Sequence, residues 1–385
     1  MVVKGVDSTP GAAARAWLDE LGLRPVINAS ATLTRLGGSL MPPPVVEAMV
    51  AGARAWVDLP ALQRAVGRRI AELTHNEACY ISSGAAAGIV VAVASVLAGT
   101  DPERIASFPH LTGFDRTEII IHRAQRNGYD YAARMTGARF VEIEGTPEAL
   151  EGAITERTGA VLWFAGAHFA QGALPIEQVI GIAHRHGVPV IVDAAAQIPL
   201  IANLWRFTRD LGADIAVFSG GKGLRGPQSS GLVLGRADLI EGCIANGSPN
   251  YSIGRPMKVG KEELFGILAA VEWSLAQDEA AMLAGYERTV AMWVDGLQGI
   301  PGVTVARGYP SEAGQPHSRA IITLGPDAPM RRDDLVAALW SGDPPIAVGE
   351  PGPDAIALNP QTLAEGEAEI VLAAVRRVLT GAADG

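Results

Sequence analysis

The chain has 385 residues, a formal net charge of −10, 48% hydrophobic residues and 19% charged residues. This balance fits a folded protein with one large domain or two domains, and it argues against global disorder. The acidic net charge disfavours nonspecific binding of nucleic acid, which needs clustered Lys and Arg, and no apolar stretch reaches the ~20 residues of a membrane helix.

Cysteines, acids and the amino terminus narrow the class of protein further. The two cysteines, Cys79 and Cys243, are far apart, and the chain does not begin with a secretion signal, so we predict a cytoplasmic protein. Aspartates and glutamates are scattered without the spacing of metal ligands, so we predict no metal site.

The first 44 residues are predicted to form an amino-terminal arm that contains one short helix. Arg35 lies beside two glycines, where its side chain is a candidate for binding an anionic substrate group, although an exposed arginine explains it equally well. A proline run at 42–44 precedes a helix, which suits proline because the first turn needs no N–H donor. We predict that a large domain spans residues 45–275.

A strand, a turn of small residues and an apolar helix follow each other between positions 78 and 98. The turn contains Ser83, Gly84, Ala85 and Ala86. Free N–H groups and the helix dipole at such a helix start favour phosphate, and small side chains allow it to approach. The same residues also suit close helix packing, so the turn alone does not decide between the two interpretations.

The next strands end in polar residues. The run 118–122 ends in His122, which is followed by Gln125, and the run 160–167 is followed by His168. Alternation of strands and helices from 78 to 235 predicts a largely parallel sheet with helices on both faces.

Three Val/Ile/Leu-rich runs around 188–235 are predicted to be buried strands. The first ends in Asp193, and the second ends at Ser219 just before Lys222. Ligands of open α/β sheets bind at the carboxyl ends of such strands, which makes this acid and this lysine candidates for a binding site. The loop after them is rich in Gly and Pro and contains Arg225, and a cation-rich helix start contains Arg255; both arginines are candidates for substrate binding.

A smaller α/β domain is predicted for residues 276–385, with strands near 303–307 and 320–324. Arg319 lies at the start of the second strand. Its guanidinium is a candidate for binding a substrate carboxylate through two hydrogen bonds.

The strand-end aspartate followed by the strand-end lysine resembles fold-type I pyridoxal 5'-phosphate (PLP) enzymes. Within them, the chain is similar to the branch that contains selenocysteine synthase (L-seryl-tRNA selenium transferase) and D-glucosaminate-6-phosphate ammonia-lyase. The similarity extends over residues 25–380 and is carried by the runs Ser82–Gly88, Asp193–Ala195, Ser219–Lys222, Gly226–Gly231 and Gly254–Glu263.

This resemblance implies the PLP-dependent transferase fold: a large domain with a mostly parallel seven-stranded sheet and a smaller carboxyl-terminal α/β domain. It implies Lys222 as the Schiff-base residue and Asp193 as the acid that keeps the pyridine nitrogen protonated, which lets the ring accept electrons. The other implied cofactor contacts are Ser83, Gly84, Ala85, Ala86, Ala195 and Ser219. A flat side chain usually covers the ring in such enzymes; His122 is the nearest candidate, and Gln125 and Arg126 are alternatives. Active sites of the family lie between subunits, which implies a homodimer or a larger homo-oligomer.

The predicted function is an α,β-elimination of the ammonia-lyase type on a small amino acid or amino sugar acid, with Lys222 removing the α-proton. A racemase or epimerase and an aldolase use the same site residues and remain alternatives. A PLP-binding regulatory protein without turnover is a third alternative. It is suggested by Gln125, which stands where the ammonia-lyase branch usually has histidine, and by Gly349, where relatives tend to have a basic residue.

Overall fold

The protein is described by a computed structural model that covers residues 12–381. Its strands, in chain order, are β1 Ile27–Ala29, β2 Ala78–Ser82, β3 Glu118–His122, β4 Arg139–Ile143, β5 Thr158–Phe164, β6 Val190–Asp193, β7 Ile215–Ser219, β8 Gly231–Gly235, β9 Val303–Gly308, β10 Arg319–Leu324, β11 Ile346–Gly352 and β12 Ala355–Leu358.

The α-helices are α1 Ala12–Glu20, α2 Pro43–Ala53, α3 Leu59–Leu73, α4 Ala85–Ala98, α5 Pro102–Ser107, α6 Tyr131–Arg134, α7 Pro147–Ala153, α8 Ala167–Ala170, α9 Ile176–Arg185, α10 Asn203–Trp205, α11 Ala237–Asn246, α12 Lys261–Leu275, α13 Glu279–Gly296, α14 Arg332–Ser341 and α15 Glu367–Thr380. Short 3-10 helices cover Thr34–Leu36, Arg123–Gln125 and Gly128–Asp130, and a π-helix covers Arg206–Asp210. Among the helices of residues 12–381, none combines the length and the apolar character that crossing a bilayer requires.

The described chain forms two compact units. The terminal unit contains residues 12–40, Asp278–Glu312 and 316–381, and the central unit contains Met41–Gln277 with Ala313–Gln315. The sequence-based limits of the arm and of the two domains stay predictions.

The central unit is built on a seven-stranded sheet in the order β2-β8-β7-β6-β5-β3-β4. Strand β8 is antiparallel to both of its neighbours, and every other adjacent pair is parallel. The predicted fold, with a mostly parallel seven-stranded sheet, is confirmed.

Both faces of this sheet are covered, which explains why its strands are near-continuous runs of Val, Ile and Leu. Side chains alternate between two hydrophobic clusters: Ile119 and Ile121 of β3 pack with the residues of α4, whereas Ile120 packs with those of α9. We call these two sides of the sheet the α4 face and the α9 face. The alternation fixes which face every strand-end side chain occupies.

The terminal unit is built on a five-stranded sheet in the order β1-β11-β12-β10-β9. Strand β1 runs parallel to β11, and the remaining pairs are antiparallel. Helices α13, α14 and α15 supply the rest of a hydrophobic core in which Trp293 is completely buried.

Candidate active site

Two polar side chains lie at the carboxyl ends of adjacent parallel strands in the central unit. Asp193 is the last residue of β6 and Ser219 is the last residue of β7. Each stands two positions after a residue of the α4 face, Ile191 in β6 and Val217 in β7. Because side chains alternate along a strand, both polar side chains belong to the α4 face as well.

The carboxyl group of Asp193 is buried and has few partners. The residue is only 7% exposed, and Oδ1 accepts the backbone N–H of Ala195 at 2.9 Å. Burial raises the pKa of Asp193, while the N–H of Ala195 and the positive charge of Lys222 oppose the rise. The lysine amine therefore lies close enough to act on this carboxyl electrostatically.

The turn that carries Lys222 is packed tightly on both sides of the lysine. A Cβ atom on Gly221 would lie 2.7 Å from Cα of Gln228, and one on Gly223 would lie 2.2 Å from the carbonyl oxygen of Ile198. No side chain fits at either position without moving backbone, so the close approach of the chain requires glycine on both sides of the lysine.

The amino terminus of α4, predicted to bind phosphate, has no side-chain cap. Gly84 precedes the helix with a φ of 131°, no side chain caps the first N–H groups, and Ser82 Oγ donates to the Gly84 carbonyl at 2.9 Å. On β8, a Cβ atom on Gly231 would lie 2.7 Å from the carbonyl carbon of Gly84. Gly231 pairs in register with Ser219, so the turn of Ser83, Gly84, Ala85 and Ala86 lies beside the end of β7.

His122, predicted as a flat group over the cofactor, ends β3 on the other face of the sheet. It stands two positions after Ile120 and therefore belongs to the α9 face, opposite Asp193. Both of its ring nitrogens are buried without a hydrogen-bond partner, and burial lowers the pKa of His122 to about 4. A cofactor contact of His122 stays a prediction, and this placement does not support it.

Gln125, the other predicted ring contact, is completely buried. Its Nε2 donates to the carbonyl oxygens of Phe164 at 3.1 Å and Phe169 at 3.3 Å, and its Oε1 accepts the N–H of Phe164 at 3.0 Å. Both ends of the amide are therefore bound to backbone, and a ring contact of Gln125 also stays a prediction that its placement does not support.

The two arginines of the central unit that are predicted to bind substrate, Arg225 and Arg255, differ in their surroundings. Arg225 donates its N–H to the carbonyl of Lys222 at 2.9 Å, and its guanidinium lies 5.4 Å from the ring centroid of Trp273 on α12. Its φ of 55° is rare for a side-chain-bearing residue. Arg255 is exposed ahead of α12.

The two candidate substrate-binding arginines of the terminal unit, Arg35 and Arg319, differ in burial. Arg35 is exposed in a 3-10 helix. Arg319 begins β10 largely buried, with Nη1 3.7 Å from Glu312 and with Nε lacking a hydrogen-bond partner. The unpaired Nε fits the predicted binding of an anion, which stays a prediction.

Sequence reasoning missed Gln197. Its Nε2 donates to the carbonyl oxygens of Ala165 at 3.3 Å and Ala313 at 2.8 Å, so it joins the turn after Asp193 to two other segments of the central unit. The sequence shows that Gln197 lies four residues after Asp193, close to the predicted site. It does not show that Gln197 contacts Ala165 and Ala313, because both are distant in sequence.

Comparisons with known proteins agree with this geometry. A family model described as aminotransferase class-V matches residues 118–325. The chain is 34% identical over 371 residues to a 5'-C-glycyluridine monooxygenase-decarboxylase of a Streptomyces species, covering 91% of this chain and 89% of that one. It is 32% identical over 377 residues to the D-glucosaminate-6-phosphate ammonia lyase of Salmonella typhimurium, covering 95% and 98%. A solved structure of D-glucosaminate-6-phosphate ammonia-lyase matches with a TM-score of 0.80 and 31% identity, covering 96% of this chain and 99% of the other.

The residues on the α4 face suit PLP. A phosphate needs N–H donors that no side chain blocks, and the uncapped start of α4 next to the close-packed Gly231 meets that need. A pyridine nitrogen needs an acid and the aldehyde needs an amine, and Asp193 and Lys222 are near each other. The family match, the two relatives above 30% identity and this set of donors agree, and the chain belongs to the class-V aminotransferase family of fold-type I PLP-dependent proteins.

Proposed function

We propose that this protein is a PLP-dependent enzyme that eliminates ammonia from a small amino acid or an amino sugar acid. The observation that carries the proposal is the buried, sparsely paired carboxyl of Asp193, on which the charge of Lys222 acts. The likeness to an ammonia lyase over nearly the full length of both chains supports elimination as the reaction.

The groups expected to contact PLP each have a separate task in this proposal. Bound PLP supplies an electron sink for negative charge that develops on the substrate Cα. The N–H groups at the start of α4 and the hydroxyl of Ser219 would bind its phosphate. Asp193 accepts the N–H of Ala195 with Oδ1, and its carboxyl would keep a proton on the pyridine nitrogen.

Lys222 moves the protons. Its amine, freed when substrate binds, would remove the proton from Cα of the substrate and then protonate the departing β-hydroxyl, which leaves as water. The released enamine becomes an imine, and water hydrolyses that imine to a 2-oxo acid and ammonia. The close packing on both sides of the lysine supports this task, because a proton carrier must be held within about 3 Å of the atom it serves.

Two other reactions would use the same residues. Removal of the Cα proton and its return to the other side of Cα makes a racemase, whereas removal of the β-hydroxyl proton with cleavage of the Cα–Cβ bond makes an aldolase. An oxygen-consuming decarboxylation is a further candidate, because the chain is 34% identical to a protein named as a monooxygenase-decarboxylase.

The first experiment tests the lysine. Wild-type protein is saturated with PLP, treated with borohydride and digested, and we expect a cofactor adduct on the peptide that contains Lys222. Lys222→Ala and Lys222→Arg should both lack it. Because the arginine variant keeps a positive charge beside Asp193, loss of the adduct in that variant is due to loss of the amine and not to loss of the charge. A wild-type protein without an adduct at Lys222 contradicts the proposal.

The second experiment identifies the reaction. A panel of β-hydroxy amino acids and amino sugar acids, with and without phosphate, is assayed for ammonia and 2-oxo acid. Elimination predicts equal amounts of both products without oxygen uptake. Solvent deuterium at Cα of unconsumed substrate indicates racemisation, aldehyde release indicates aldol cleavage, and oxygen uptake with carbon dioxide release indicates oxidative decarboxylation. Adduct formation without any of these products favours a regulatory role.

We also propose that the protein is cytoplasmic, acts without nucleic acid, and forms a homodimer or a larger homo-oligomer. The family resemblance supports assembly, and so do aromatic side chains that stand in solvent in the central unit, Trp56 and Tyr251. Light scattering at several concentrations measures the assembly, and a monomer throughout contradicts it.

A further inference from the structure

Gln125 completes the sheet where strand β3 stops. The last paired residues of β3 and β5 are Ile121 and Leu162, but β5 continues to Phe164. The N–H groups of Val161 and Ala165 point to the β6 side, where they donate to Pro189 and Asp193. By alternation the N–H and C=O of Phe164 point to the β3 side, beyond the end of that strand.

The side chain of Gln125 takes the place of the missing strand residue. Its Oε1 accepts the N–H of Phe164 at 3.0 Å, and its Nε2 donates to the carbonyl of the same residue at 3.1 Å. An amide has one acceptor and one donor end, like a peptide group, so it can satisfy both groups of one backbone residue. Because Gln125 and Phe164 are buried, these backbone groups have no water to replace the amide.

The backbone held by Gln125 is also the backbone that holds the catalytic acid. Phe164 pairs in register with Asp193, and the N–H of Ala165 donates to the Asp193 carbonyl at 2.8 Å. The third bond of Gln125, to the carbonyl of Phe169 at 3.3 Å, holds the segment that follows β5. The side chain of Gln125 therefore bonds the backbone at Phe164 on the β3 side, and Asp193 bonds the backbone at Ala165 on the β6 side.

We propose that Gln125 is a positioning residue of the cofactor site, which sets the place of Asp193 through the backbone of Phe164 and Ala165. The inference rests on the proposed function, because it assigns Gln125 a task toward the cofactor of that site. It differs from the family-based expectation that a side chain at this position lies against the cofactor ring.

The test compares two variants that each lose a side-chain-to-backbone hydrogen bond. Gln125→Met keeps the length of the side chain and removes both polar ends. Thr136→Val is the matched control: the buried Thr136 Oγ1 donates to the carbonyl of Ala133 at 2.8 Å and accepts the N–H of Ala138 at 3.3 Å, just before the amino end of β4 and away from the carboxyl end of the sheet. Both variants are measured for thermal unfolding without cofactor, for PLP dissociation constant, and for the pH midpoint of the absorbance of bound PLP.

We expect Gln125→Met to weaken PLP about tenfold and to shift the absorbance midpoint by about half a pH unit or more, since displacing an aligned group by 1 Å costs up to ~100-fold. With a substrate in hand, kcat should fall while KM changes less than about threefold, as expected when transition-state contacts are lost. Thr136→Val should change unfolding only. If Gln125→Met also changes unfolding only, the proposal is overturned.

A second variant keeps the test decisive if Gln125→Met does not fold. Gln125→Glu retains an acceptor for the N–H of Phe164, and it regains a donor for the Phe164 carbonyl only when protonated. Burial raises the pKa of such a carboxyl, so the variant should bind PLP like wild type at low pH and progressively more weakly as pH rises. The measured quantity is the ratio of the two dissociation constants, in which the pH dependence of wild type cancels.

A ratio that does not change with pH overturns the positioning role. Failure of the proposed function has a different signature: wild-type protein itself would then form no adduct at Lys222. A wild type that forms the adduct, together with Gln125 variants that bind PLP equally well, overturns the inference about Gln125 alone.

Discussion

The two ends of the seven-stranded sheet hold buried acids in opposite ways. At the amino end, Glu118 accepts hydrogen bonds from Arg139 and Arg157; burial alone would raise the pKa of Glu118, but these arginines outweigh it and lower the pKa. Asp214, just before β7, hydrogen-bonds Arg236, His184 and the N–H of Val190. Each of these carboxylates joins elements of the protein through hydrogen bonds with at least two other residues.

At the carboxyl end, Asp193 has one backbone N–H and the charge of Lys222, and burial raises its pKa. Buried polar groups normally have a full set of partners, so an acid that lacks them marks a place prepared for a ligand. All three acids are buried, so burial does not separate Asp193 from the other two; the number of partners does, and the sparse pairing of Asp193 is the observation on which the proposed function rests.

The largest expected effect comes from removing the functional acid. Asp193→Asn keeps the shape of the side chain and an oxygen for the N–H of Ala195, but it no longer holds a proton on the pyridine nitrogen. We expect activity to fall about 10²–10³-fold, as when one electrostatic group is removed from an active site. Steady-state kinetics with saturating PLP measures this. Equal activity of variant and wild type would show that the sparse pairing of Asp193 has no functional meaning.

Gly231→Ala is expected to have the next largest effect. The new methyl group would lie 2.7 Å from the carbonyl carbon of Gly84 and 2.9 Å from the carbonyl oxygen of Phe218, so the start of α4 must move. We expect a loss of about 1–3 kcal/mol in the free energy of unfolding, together with weaker PLP binding. Urea unfolding and PLP titration measure the two effects.

Gly181→Ala provides the matched control. Gly181 lies in α9, and no atom of a neighbouring element lies within 4 Å of the place that a methyl group would take. Alanine there should stabilise the helix by about 0.5–1 kcal/mol and leave PLP binding unchanged. Equal PLP affinity in both alanine variants would contradict a phosphate site at the start of α4.

The sequence predicted the carboxyl end of the sheet well for a local reason. Apolar runs that end in Asp193 and Ser219 identify both the strands and their charged or polar ends, and the two residues do lie on adjacent strands. The same runs do not reveal that β3 is the neighbour of β5, so the bonds between Gln125 and Phe164 were out of reach. The pairing of Ile27 with Ile346 is equally remote in sequence. His122 is a similar case: alternation along β3 places it on the side of Ile120, but only the packing of Ile120 with the residues of α9 identifies that side as the α9 face.

The smallest expected effect concerns how the free energy of unfolding depends on pH. Glu118 at the amino end of the sheet and Asp193 at the carboxyl end should contribute in opposite directions, as measured by unfolding of cofactor-free protein. The lowered pKa of Glu118 means that its contribution to stability is present above its ordinary value of 4.5 and is lost as pH falls. Glu118→Gln should therefore lower stability at neutral pH and approach wild type in acid. Because Arg139 and Arg157 are 67% and 62% exposed, we expect only about 1 kcal/mol.

Asp193 makes stability depend on pH in the opposite direction. Its pKa is raised above the ordinary 3.8, so the folded protein holds a proton that the unfolded chain has released, and wild-type stability falls as pH rises through that window. Asp193→Asn lacks this loss, so its stability relative to wild type should increase with pH while that of Glu118→Gln decreases. Difference curves of the same sign would contradict the distinction between the two acids, since partner number would then not govern the cost of burying them.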